Sequence, residues 1–273
     1  MSVDTHLPHS VTKGDLIAVP AALIGAAICS ITPLFQILLW LSSMVLHECG
    51  HTIGSLLNSR LAVPTFGFTL SLQCTPSILT FGALSVFGWW WWRAAARARY
   101  RVLGAVPAVL APCLLIGTVA LPAKRAQEMA LLAGQGGELV LGVLLIALFF
   151  EPMPRRFNWA INRYLFLTIG AFALFSCSRT WIRAGLDIRN MPMGAFIDIR
   201  KMFGESSESA GDMDRLIRDF GWTAEGLVFF YLALTLAALG GLVGVYLFNM
   251  RRYRHQGASA QWSTRIIPRS PRR

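Results

Sequence analysis

Apolar residues fall in blocks long enough to cross a bilayer, separated by short polar stretches. A spanning helix needs about 20 apolar residues, and segments 103–122, 131–150, 159–177 and 227–250 each fit that length. Upstream, 16–57 is apolar for more than one span. Pro33 divides it, because proline removes a helix hydrogen bond and disfavours helix at the residue before it. The expected elements are 16–31 and 34–57. Segment 78–92, about 15 residues, reads as a short span or a re-entrant segment. Between these lies a different pattern: Phe66, Phe68, Leu70 and Leu72 alternate with Gly67, Thr69, Ser71 and Gln73, bracketed by Pro64 and Pro76. Strict alternation over 62–79 predicts a β-hairpin. Segment 179–221 is hydrophilic, with a loop over 204–211 and a short amphipathic helix over 212–220 closed by Gly221. The predicted fold is an all-α polytopic membrane protein of about six to seven transmembrane helices with a small β-hairpin insertion. Its parts are a polar tail (1–15), one membrane domain (16–250) and a basic tail (251–273), with no internal repeat.

Composition agrees: of 273 residues, 55% are hydrophobic and 14% charged, and the mean hydropathy is +0.53. Soluble domains carry about 25% charge. The net charge of +11 is unevenly placed. Arg251, Arg252, Arg254, Arg265, Arg269, Arg272 and Arg273 follow Met250 with no acid among them. Beside a span, such a tail reads as a cytoplasmic anchor rather than a nucleic-acid contact. Two further basic groups, Arg93, Arg97, Arg99 and Arg101, then Arg155, Arg156 and Arg163, fall on the same side when spans alternate. Segment 179–221, with seven basic residues against seven acids, falls on the other. The five cysteines, Cys29, Cys49, Cys74, Cys113 and Cys177, form no CxxC pair, so neither a disulfide framework nor a cysteine zinc site is expected. The polar first fifteen residues are too mixed for the start of a cleaved signal peptide.

The chemistry concentrates at His47-Glu48-Cys49-Gly50-His51, an HExxH motif ending a long apolar run. Two histidines four apart share a helix face and can hold one zinc ion, and the glutamate between them can take a proton from its water. Such residues inside an apolar helix are costly unless they function or pair. A catalytic zinc needs a third protein ligand. His6, His9 and His255 lie in polar tails, which leaves Asp187, Asp198, Asp212, Asp214 and Asp219 of segment 179–221. Asp212 has a structural role open to it as well, since an acid at a helix start is a good cap. Other polar groups in apolar surroundings are Glu138, beside Gly134-Gln135-Gly136-Gly137, which faces a cavity or marks a turn at the interface, and Asn158 and Asn162 at the start of a span.

In HExxH on an early apolar helix, the strand-like 62–79 region and the layout of spans, the chain resembles site-2-protease-like intramembrane zinc metallopeptidases. The family's later Leu-Asp-Gly motif is absent. Gly211-Asp212-Met213-Asp214-Arg215-Leu216, followed by Gly221-Trp222, resembles the Gly-Asp step of its compact bacterial members. The resemblance implies Zn2+ held by His47, His51 and Asp212, with Asp214 and Asp187 as the alternatives to Asp212. It implies Glu48 as general base, a membrane-anchored protein substrate, and a multi-pass protein of a bacterial inner membrane with its C-terminus in the cytoplasm. It also puts the zinc nearer the cytosol, whereas the charge count puts segment 179–221 on the opposite side. Two other readings stand beside peptide hydrolysis: an inactive, chaperone-like protein of the same fold that binds membrane clients, and a transporter, which the missing repeats disfavour.

Overall fold

A computed structural model of the chain describes residues 11–65, 67–72, 75–98, 100–151, 159–192 and 211–266. His6, His9, Asn158, Asp198, the loop 204–210 and the last seven arginine-rich residues lie outside them. Eight helices occur among the described residues: α1 (Lys13–Ile31), α2 (Pro33–Leu56), α3 (Ile78–Arg97), α4 (Arg101–Val119), α5 (Ala123–Phe149), α6 (Trp159–Leu186), α7 (Asp212–Phe220) and α8 (Ala224–Ile266). Strands β1 (Ala62–Pro64) and β2 (Thr69–Ser71) pair antiparallel, with Val63 opposite Leu70. The hairpin is therefore present but shorter than the alternation predicts.

Five helices, α1, α4, α5, α6 and α8, are long and apolar enough to cross a membrane. Large apolar side chains such as Ile24, Ile28, Leu34, Ile37 and Leu236 are exposed on them and on α2. The protein is a multi-pass membrane protein. Helix α2 has the length, at 24 residues, but Gln36, Ser42, Ser43, His47 and Glu48 dilute its apolar character.

Several boundaries differ from the sequence pattern for identifiable reasons. Helix α1 starts at Lys13 because Thr12 and Asp15 form a reciprocal capping box, so the last residues of the expected polar tail are helical. Asp15 is buried and pairs with Arg163 of α6 at 2.9 Å, which removes Arg163 from the set of solvated loop cations. The α1–α2 break falls at Thr32, with Pro33 in the first turn of α2, where its missing N–H costs nothing. Helix α6 runs past Cys177 to Leu186 because its buried stripe continues through Trp181 and Ala184. Trp181 stacks on Tyr231 of α8 at 4.2 Å between ring centroids. The glycines at 134, 136 and 137 make no turn and lie inside α5. Helix α8 continues beyond residue 250 to Ile266.

Helices α2 and α5 form the most extensive contact. It is a seam of small residues, Gly50 and Gly54 on α2 against Ala130, Ala133, Gly134 and Gly137 on α5. Small residues let helix backbones approach in a membrane, where van der Waals packing drives association. A Cβ at Gly50 would collide with the carbonyl oxygens of Ala133 and Gly134, while one at Gly240 would meet nothing within 4 Å. Accordingly, Gly50→Ala should lower stability by about 1–3 kcal/mol or more, whereas Gly240→Ala should be neutral or stabilising by up to about 1 kcal/mol. Thermal unfolding of the two variants in detergent checks this contrast.

Candidate metal centre

The two histidines of α2 sit one turn apart, and the α2–α5 seam decides what they meet. His51 Nδ1 lies 2.8 Å from the carbonyl oxygen of Ala130 on α5. A carbonyl only accepts, so Nδ1 carries the proton and the neutral ring presents a lone pair at Nε2. That Nε2 is 3.0 Å from Nε2 of His47. The rings stand edge to face, with centroids 4.6 Å apart. Gly134 makes room for both: a Cβ there would come within 2.5 Å of the His51 ring and 2.8 Å of His47.

The third group comes from far along the chain. Asp212 Oδ2 lies 3.1 Å from His47 Nε2 and 2.8 Å from His51 Nε2. Asp212 is the first residue of α7, and Gly211 before it holds the N-cap position without a side-chain cap bond. The carboxylate is thus aimed across at the histidines rather than back at its own helix. Burial opposes its ionisation, but when both imidazoles are protonated and no cation is bound, their hydrogen bonds and charge outweigh that and hold the carboxyl well below the usual carboxylate range.

Helix α7 is placed by its own amphipathicity. It buries Met213 and Leu216 and ends at Gly221, whose φ of 76° suits glycine at a helix C-terminus. Trp222, next in sequence, donates from Nε1 to Glu128 of α5 at 2.7 Å. Helix α5 therefore positions both halves of the cluster.

One ligand atom from each of His47, His51 and Asp212 lies within 4.8 Å of the others, and no other such group of three occurs among the described residues. Two imidazoles and a carboxylate are a zinc-type donor set with room for a non-protein ligand. Acceptor atoms converging to 2.8–3.1 Å need a proton or a cation between them, so the residues present fit a metal ion. Asp214 is not brought to the cluster. Asp187 caps a short turn and pairs with Arg189 at 2.9 Å. Asp219 pairs with Arg218.

Glu48 is buried and stands outside the group of three. Its Oε2 accepts a hydrogen bond from the Thr69 hydroxyl of β2 at 2.7 Å. Alternation could have flagged Thr69, because it is the polar residue facing away from Phe68 and Leu70, which are exposed. Glu138 lies on α5, fully enclosed, and accepts from the Ser43 hydroxyl of α2. Its Oε2 is 4.0 Å from Nδ1 of His47. A cavity of about 170 Å3 opens beside the cluster, polar at Ser43, His47, Glu138 and Asp212 and apolar at Trp40 and Met44. Glu138 thus faces a cavity, as one of its two expected settings had it. Asn162 is not among the cavity's residues and lies beside Arg163 at the start of α6. Ser43 and Glu128 belong to no motif, so the sequence carried no signal for them.

Comparison with known protein families, curated proteins and solved structures gives no match to this chain.

Asp212→Ala should weaken binding of a divalent metal ion by more than about 100-fold, since even partners behind the ligands are worth about 10–100-fold. Asp214→Ala and Asp187→Ala should leave it unchanged. Competition against a chromogenic chelator measures all three.

Proposed function

We propose that the protein is an intramembrane zinc metalloprotease that hydrolyses peptide bonds of membrane-anchored protein substrates. The observation that carries this reading is the convergence of the HExxH histidines with Asp212, more than 160 residues away in sequence, beside a buried glutamate. His47, His51 and Asp212 would hold zinc, which would supply a Lewis acid for the scissile carbonyl and acidify the attacking water toward a pKa of about 7.

Glu48 takes a proton from the attacking water and returns it to the leaving amine. Thr69 holds the Glu48 carboxylate through Oε2, which fixes its rotamer and leaves Oε1 to accept that proton. The Ala130 carbonyl fixes the tautomer of His51, and Glu138 favours the matching tautomer of His47 from behind. The cavity beside His47 receives the chain to be cut.

A substrate helix has no free backbone groups and must unwind before cleavage. Among the described residues each strand of the sheet pairs only with the other, which leaves an outer edge for an unwound strand to join. Its exposed Val63, Phe68, Leu70 and Leu72 supply apolar contacts for that strand. The basic residues that follow the apolar part of α8, Arg251, Arg252 and Arg254, support a cytoplasmic C-terminus by the positive-inside rule, and the resemblance of Gly211-Asp212 to compact bacterial members supports a bacterial inner membrane as its setting.

The test is cleavage of a model transmembrane substrate in proteoliposomes. Glu48→Gln should reduce turnover about 10²–10⁴-fold with zinc content unchanged, and cleavage persisting at the wild-type rate would contradict the mechanism. Thr69→Val, which removes one hydrogen bond to a charged group, should reduce turnover about tenfold, again with zinc retained.

A further inference from the structure

A second cavity lies away from the metal centre and takes no part in the proposed hydrolysis. It measures about 310 Å3 and sits where the α1–α2 turn meets the C-terminal half of α6. That volume falls at the lower end of the range for ligand pockets, about 300–1,000 Å3. Arg179 and Arg183, one helical turn apart on α6, both line it. Gln36, Ser176 and Thr180 add amide and hydroxyl groups, and no acid is among its lining residues.

Arg179 is already oriented, because its Nη1 donates to the carbonyl oxygen of Ser30 at 3.2 Å, an oxygen that Gln36 Nε2 also approaches at 3.0 Å. The rest of that guanidinium remains for another acceptor. The Arg183 side chain has no hydrogen bond or ion pair among the described residues. Two guanidiniums within one turn repel each other and favour a bound anion, and their planar forks match phosphate oxygens.

The surroundings select among phosphate-bearing anions. Ile31, Leu34 and Phe35 at the α1–α2 turn are exposed apolar residues on membrane helices, and Leu39 and Phe175 form apolar wall within the cavity. A headgroup phosphate seated on the arginines would have its acyl chains over these side chains. Basic pockets between transmembrane helices hold anionic headgroups in this way. We propose that the cavity bounded by Arg179, Arg183 and Gln36 binds the phosphate of an anionic phospholipid headgroup.

The full chain, reconstituted in nanodiscs of equal phosphatidylglycerol and phosphatidylcholine, can be assayed for first-shell lipid with spin-labelled forms of each. Wild type should retain phosphatidylglycerol over phosphatidylcholine, and Arg179→Gln with Arg183→Gln should cut that preference by up to about thirtyfold, given two lost cationic contacts. Arg179→Lys with Arg183→Lys should recover part of it. If the double glutamine variant fails to fold, Arg183→Gln alone carries the test, since its side chain has no partner to lose among the described residues. Equal retention of both lipids by wild type, or a preference unchanged in the glutamine variants, overturns the proposal. Displacement of the spin-labelled lipid by millimolar inorganic phosphate overturns the lipid assignment in favour of a soluble anion.

Discussion

The backbone contact between Gly50 on α2 and Gly137 on α5 sets the spacing on which the rest of the site depends. With a side chain at either position the two helices would stand farther apart. The Ala130 carbonyl would then leave His51, and the space at Gly134 that accepts both imidazole rings would change shape. Helix α5 also anchors Trp222 through Glu128, and with it the short helix that presents Asp212. One helix is thus the common reference for ligands drawn from distant parts of the chain. A chelating cluster demands such a reference, because a displacement of about 1 Å is enough to spoil a catalytic geometry.

Polar groups among membrane helices are expensive when unpaired, and each one near this cluster has a partner. Glu48 has Thr69, Glu138 has Ser43, His51 has Ala130, and Asp212 has both histidines. These partners fix rotamers and tautomers as well as lowering the cost of burial. Thr69 stands out among them, since it ties the hairpin to the glutamate and so couples the element suited to hold a substrate strand to the group suited to move a proton.

Much of this was legible in the sequence because the governing signals are local. Apolar block length identified the spans, proline position identified the α1–α2 break, and i, i+4 spacing put His47 and His51 on one face. The hairpin followed from alternation. Boundaries were less legible. The charged residues Arg179 and Arg183 imply the end of a span, yet Trp181 and Ala184 keep α6 buried for a further two turns. A run of glycines reads as a turn when the helix that packs against it is unknown, and here Gly50 supplies the reason for helix. Composition narrowed the third member of the cluster to five aspartates and no further, because the choice depends on a tertiary approach. Asp187 and Asp219 are taken by neighbouring arginines, and among the described residues Asp212 alone is aimed at the histidines.

The most direct measurement of the central claim is X-ray absorption at the zinc edge on the purified, zinc-loaded chain. A His47, His51 and Asp212 site predicts nitrogen and oxygen neighbours at about 2.0–2.2 Å with the outer-shell signature of two imidazoles. A sulfur neighbour at about 2.3 Å, such as Cys49 would give, or a chain that retains no zinc, would contradict it.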